Sequence, residues 1–346
     1  MEPKPAVKSF ISHLINLCVK NKNVELILDN IHIYDGSILD DVLNSYSLEE
    51  LSSVENLSLA CCSLQSLPQQ IFTKFKNLSR LNLAKNKLTY LPESIADLNR
   101  LNLIDISHNL FEKFPNPLSY LENLLVMYIN NNNIKEIPDS IGNLKKLIYL
   151  HLNSNSLQTL PNSLCNLQKL RKLYIHENYL KSLPENIGNL KLLIELDLYN
   201  NQLKELPDSF TNLHSLQKLV LADNQLETLP KSWENFSCLH TLILDHNRLA
   251  DLPESIGYLT QLSFLSLKYN QIYYLPKTIN NLQNLTTIRL DNNNIMEIPE
   301  DIKKNKNLKL LSVTNNNLLK LPKFRKYNRS LIVYPDNNLL NIIPGN

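Results

Sequence analysis

LIYLHLNSNSLQTLPNSLCNLQK, running from Leu147 to Lys169, holds every position of a frame that the chain repeats. In general form it is LxxLxLxxNxLxxLPxxIxxLxx. Its asparagine, Asn155, recurs every 23 residues as Asn86, Asn109, Asn132, Asn178, Asn201, Asn224, Asn247, Asn270, Asn293 and Asn316. An array in unbroken register grows by stacking and closes no single core, so the 346 residues do not imply two or three globular domains.

Each position has a physical task. The LxLxxN portion alternates with period two, which makes a short strand. In the Leu147 unit, Leu150 and Leu152 point inward, while Tyr149, His151 and Asn153 face solvent. Strands one repeat apart then lie parallel, about 4.8 Å from one another. The asparagine turns inward as the chain leaves the strand, where its amide satisfies backbone groups. Leaving such a group buried and unpaired costs about 1–3 kcal/mol. Pro161 and its equivalents stop the ladder and open a short helical turn. Ile141, Ile187 and Ile256 pack from the outer side with Leu144, Leu190 and Leu259.

Upstream, VENLSLACCSLQSLP fits the frame with Cys62 at the anchor position. VELILDN, from Val24, fits one more degenerate strand. Before it, Phe10, Ile11, Leu14, Ile15 and Cys18 are expected to share one face of an amphipathic helix. At the other end Asn305 and Asn328 replace the outer leucine and Arg325 the isoleucine, which reads as a frame wearing out. A shortened unit, SLIVYPDNNLLNIIP, follows with Asn338 as anchor and Pro344 as its proline. The expected organisation is an N-terminal helical cap with a degenerate repeat (1–50), a repeat array (51–322) and a C-terminal degenerate repeat or cap (323–346).

The LPxxIxxLxxL half joined to an LxLxxN strand resembles the 23-residue leucine-rich repeats of intracellular proteins. These include the Ras-suppressor and Scribble-like groups and effectors that bacterial pathogens deliver into host cells. The resemblance covers 51–344. It implies an α/β solenoid, a horseshoe with a parallel concave β-sheet and short helical or irregular convex segments. It also implies an adaptor, scaffold or effector role with a protein partner.

Composition narrows the function. A net charge of +2 offers no strong pull on nucleic acid or anionic membrane, and basic residues form no stripe. Five glycines leave little material for phosphate loops, and GxxxxGK[ST], HExxH and GxSxG are all absent. Neither a cofactor nor a metal is expected. The cysteines, Cys18, Cys61, Cys62, Cys165 and Cys238, are odd in number and unclustered, which points to a reducing compartment. No cleavage site follows the apolar segment at 10–19, so the expectation is a cytoplasmic protein, or one secreted by a bacterium into host cytosol. A monomer is expected, with self-association through the C-terminal end as the alternative.

Solvent-facing strand positions are free of the frame, so their occupants carry information. Tyr128, Tyr149, His151, Lys172, Tyr174, His176, Asp197 and Tyr199 occupy four successive units, and Tyr179 follows an anchor beside them. Val220, Ile243 and Phe264 are expected to extend this surface with exposed apolar character. Aromatic groups with polar tips suit a protein-binding face. Lys172, Glu195 and Lys218 are expected to neutralise one another, and Asp197, Asp223 and Asp245 form an acidic stretch. The enzymatic alternative would use His151, His176 and Asp197 as metal ligands or acid–base groups.

Overall fold

The structure, a computed structural model, describes residues 4–34, 36–324 and 328–340. Two compact units divide the chain, Met1–Leu170 and Arg171–Asn346.

The first unit opens with helix α1 (Lys4–Asn21), strand β1 (Glu25–Ile27) and helix α2 (Gly36–Leu43). Val7, Ile11, Ile15 and Cys18 are buried on α1, and Leu14 is half-buried. Phe10 departs from expectation. It is 52% exposed, because at 100° per residue it lies beyond the edge of the stripe centred on Ile11. Strands β2 (Asn56–Ser58), β3 (Arg80–Asn82), β4 (Leu103–Asp105), β5 (Val126–Tyr128) and β6 (Tyr149–His151) follow, with a short helix α3 (Ile71–Lys74) after β2. Each strand from β1 to β5 pairs in parallel with the next. From β3 onward the register steps by one whole repeat, as in Arg80↔Leu103 and Leu103↔Val126.

The second unit carries β7 (Lys172–Tyr174), β8 (Glu195–Asp197), β9 (Lys218–Val220), β10 (Thr241–Ile243), β11 (Phe264–Ser266), β12 (Thr287–Arg289), β13 (Leu310–Ser312) and β14 (Ile332–Tyr334). These too are parallel, each to its successor. Opposite the strands in both units run 3₁₀ turns such as Asp139–Asn143 and Glu254–Tyr258, each starting just after its proline. The middle residue of each strand from β1 to β13 is buried, so three-residue strands suffice. Leu150, Leu173, Leu196 and Leu219 are each no more than 1% exposed.

The anchor amides do the expected work. Asn247 accepts from Leu226 N–H at 2.9 Å and donates to the carbonyls of Leu221 (2.9 Å) and Leu244 (3.1 Å). Cys62 stands in the same place, fully buried, its thiol 3.0 Å from the Leu28 carbonyl. Asn338 likewise accepts from Leu318 N–H at 3.0 Å and donates to Val313 O at 2.8 Å. Where the frame reads as worn, a second ladder replaces the apolar contact. Asn305, 3% exposed, donates to Leu282 O at 2.9 Å, and Asn328 donates to Leu308 O at 2.6 Å. Arg325 and Pro344 lie outside the described residues.

The residue before each anchor holds a left-handed backbone, from Lys85 (φ 57°) through Glu177 (56°) to Tyr269 (54°) and Asn315 (55°). None is glycine. Asn131, Asn200, Asp223, Asn292 and Asn315 suit that region because their short polar side chains tolerate it. The neighbouring ladder holds the others there, as when Glu177 N–H bonds to Tyr199 O at 2.8 Å.

All five thiols are free. Burial pushes Cys62 and Cys165 up to about 11 and raises Cys18 as well. Because the thiolate is the reactive form, maleimide labelling of native protein at pH 7.5 should modify the half-buried Cys61 and Cys238 first. The other three should react only after denaturant is added, as peptide mapping of the adducts will show. Rapid labelling of Cys62 or Cys165 in native protein would contradict this packing.

Candidate functional site

The in-step strand residues are covered, so the strand surface open to chemistry is the side that carries the out-of-step residues. In the first unit this surface holds Tyr128, Tyr149 and His151, all half-buried. Tyr128 and His151 pack with ring centroids 4.6 Å apart at an interplanar angle of 49°. Leu103 and Val126, also half-buried, adjoin them along paired strands.

In the second unit Tyr174 donates its hydroxyl proton to Glu195 Oε2 at 2.6 Å, and Lys172 Nζ lies 2.6 Å from Glu195 Oε1. Burial opposes ionisation of Glu195. Hydrogen bonds from Lys172 and Tyr174 and the charges of Lys172 and Lys218 outweigh it, so the carboxyl titrates below the ordinary carboxylate range. Lys172 and Glu195 thus neutralise one another, while Lys218 stays exposed. His176 Nδ1 approaches Asp197 Oδ2 at 3.6 Å, too long for a hydrogen bond, and is buried with no such partner. Asp197 Oδ1 instead accepts from Tyr199 N–H at 3.0 Å. Tyr179 and Tyr199 project furthest, 51% and 37% exposed.

Two expectations need correction here. Val220, read as an exposed apolar residue, is only 9% exposed and belongs to the floor, together with Ala222. Ile243 and Phe264 are half-buried, and the Arg289 guanidinium sits 5.4 Å above the Phe264 ring. Asp245, read as part of an acidic surface, is buried. Its Oδ1 accepts from Ser266 Oγ at 2.6 Å and Lys268 N–H at 2.8 Å. Asp291 makes the same staple with Ser312 Oγ and Thr314 N–H, as does Asp29 with Ser58 Oγ and Ala60 N–H. Sequence reading missed this device. Its signal was an aspartate two residues before one anchor, with a serine four residues before the next.

Among the described residues no three His, Cys, Asp or Glu side chains converge where they could hold a metal ion. No helix among them is long and apolar enough to cross a membrane.

Comparison with known proteins places this architecture. Leucine-rich-repeat models match residues 52–111, 122–180, 161–247 and 284–305. A leucine-rich-repeat protein of Leptospira interrogans is 31% identical, with 86% of this chain and 88% of that one covered and a TM-score of 0.67. The chain belongs to the leucine-rich-repeat family. This leucine-rich-repeat protein also shares its fold with the internalin InlF of Listeria monocytogenes (20% identity, 93% of each chain, TM-score 0.78). It is similar as well to the ectodomain of the Arabidopsis thaliana receptor kinase GASSHO1/SCHENGEN3, solved in complex with CASPARIAN STRIP INTEGRITY FACTOR 2. That match has 27% identity and a TM-score of 0.69, and covers 91% of this chain and 41% of that one. Leucine-rich-repeat proteins are generally protein-interaction modules.

Proposed function

We propose that this leucine-rich-repeat protein is a non-catalytic module that binds a protein partner on its strand-bearing face, as an adaptor, scaffold or effector in a reducing cytosol. The observation that carries the reading is the contrast between columns. Strand leucines in step with the repeat, such as Leu150, Leu152, Leu196 and Leu198, are fully covered, whereas Tyr128, Tyr149, Tyr174, Tyr179 and Tyr199 retain open surface at positions the fold does not dictate. Partly exposed tyrosines supply a large rigid contact area with a polar tip, the composition of interface hot spots. The similar receptor ectodomain, solved with its partner, supports a protein ligand, and five unpaired thiols suit a reducing compartment.

Affinity capture from a lysate tests it. The parent protein and a Tyr128→Ala/Tyr174→Ala/Tyr199→Ala variant serve as baits, with bound proteins identified by mass spectrometry. The expected result is at least one protein retained by the parent and lost by the variant. If the variant retains every protein the parent does, this face is not the binding face. The enzymatic alternative has one foothold, the His176–Asp197 pair at 3.6 Å. Stoichiometric metal in purified protein would revive it.

A further inference from the structure

A second surface, away from the strand face, carries its own pattern. Three residues past each anchor the chain sits on the rim, where the repeats bring Thr89, Glu112, Lys135, Gln158, Lys181, Lys204 and Glu227. The polar habit then stops. The next four repeats place Ala250, Tyr273, Met296 and Leu319 there, all in the second unit and all exposed, the last three by 43%, 41% and 50%. Backbone bonds keep the column in line, from Tyr273 N–H to Ala250 O at 3.2 Å and from Met296 N–H to Tyr273 O at 3.3 Å. Tyr274, 56% exposed, widens the stripe, its hydroxyl 3.5 Å from Met296 Sδ. In the same column as Tyr274, four residues past each anchor, stand the exposed carboxylates of Asp251 and Glu297 on alternate repeats, with the exposed Lys320 ending the column.

We infer that this stripe docks an amphipathic α-helix of a protein partner, its apolar side on Tyr273, Met296 and Leu319 and a basic flank against Asp251 and Glu297. Spacing separates a helix from an extended segment. Successive stripe residues sit about 4.8 Å apart, the pitch of the ladder, so four of them span about 14 Å. A helix repeats its apolar side every turn of about 5.4 Å, and residues i to i+11 span about 16 Å. A strand lying across the repeats would present same-face side chains every 6.6 Å or so and drift by more than a whole position over that length. Charge favours a basic flank over the first three repeats, ahead of Lys320. Asp251 and Glu297, two repeats apart, are separated by about 9.6 Å, close to the 10.5 Å or so between helix residues i and i+7. A thioether beside phenols adapts to an apolar ridge better than branched side chains do.

The probe is a fluorescein-labelled 18-residue helical peptide with Leu at i, i+4, i+7 and i+11, Lys along one flank and Ala elsewhere, titrated by anisotropy. Tyr273→Gln/Met296→Gln/Leu319→Gln should weaken binding at least tenfold without changing thermal unfolding. Asp251→Lys/Glu297→Lys should weaken the Lys-flanked peptide tenfold and prefer a Glu-flanked one. The strand-face Tyr128→Ala/Tyr174→Ala/Tyr199→Ala variant should bind the peptide like the parent, so this inference and the preceding proposal fail separately. No binding by the parent, or equal binding by the stripe variant, overturns the inference. So does a concentration-dependent doubling of mass in light scattering that the stripe variant abolishes, because the surface would then belong to a second copy.

Discussion

Asn247→Ala is expected to lower stability by about 3 kcal/mol, and the cost is electrostatic. The amide accepts from Leu226 N–H and donates to the carbonyls of Leu221, Leu244 and Asp245, all within 3.2 Å. Alanine fills none of these roles. A stranded buried N–H costs about 1–3 kcal/mol, and the carbonyls that lose their donor add to it. No water can compensate, because Asn247 is 7% exposed and its partners Leu226, Leu221 and Leu244 are fully buried. Asn247→Cys should fall between the parent and alanine, since Cys62 already serves as an anchor here with its thiol on the Leu28 carbonyl. Urea unfolding of the three proteins gives the order. An alanine variant within about 0.5 kcal/mol of the parent would mean that the ladder does not hold the repeats together.

Trp233→Ala should cost as much or more, about 3–5 kcal/mol, through a cavity. Trp233 occupies the outer isoleucine position of its repeat, fully buried, with Nε1 donating to Pro230 O at 2.8 Å. Its ring packs 5.0 Å from Phe236, which in turn lies 5.9 Å from Phe210 in the preceding repeat. Three large rings fill a layer that isoleucine and leucine fill in most other repeats, and neighbours built to that size cannot close on an alanine. Trp233→Phe should cost less than half as much, since it keeps the ring stacking and loses only volume and one hydrogen bond. Tryptophan fluorescence drops out with Trp233, the only tryptophan, so circular dichroism is the appropriate probe.

Almost all of the fold was legible because the repeat is a geometric statement. An asparagine every 23 residues, with leucines alternating before it, admits one stacking register, and strands such as β9 and β10 sit in it. What remained hidden depended on neighbours that a single unit does not display. The left-handed backbone at Lys85 or Tyr269 has no glycine to announce it, because the adjacent repeat imposes it. Val220 looked exposed by alternation, yet side chains around it cover it. Asp245 looked like part of an acidic surface, yet Ser266 and Lys268, one repeat on, occupy its carboxylate. The tyrosines were legible as positions, not as contacts. Nothing in a one-dimensional frame says that Tyr174 spends its hydroxyl on Glu195 while Tyr179 stands free of the sheet.

Whether out-of-step side chains recognise a partner while in-step ones build the frame is tested most directly by measuring thermal unfolding and partner capture side by side on a Tyr174→Ala/Tyr199→Ala variant. The account expects a midpoint within about 3 °C of the parent, since the half-buried Tyr174 and exposed Tyr199 leave the covered strand leucines in place, together with loss of the captured protein. A midpoint that collapses with capture intact would show that these tyrosines hold the sheet together and recognise nothing.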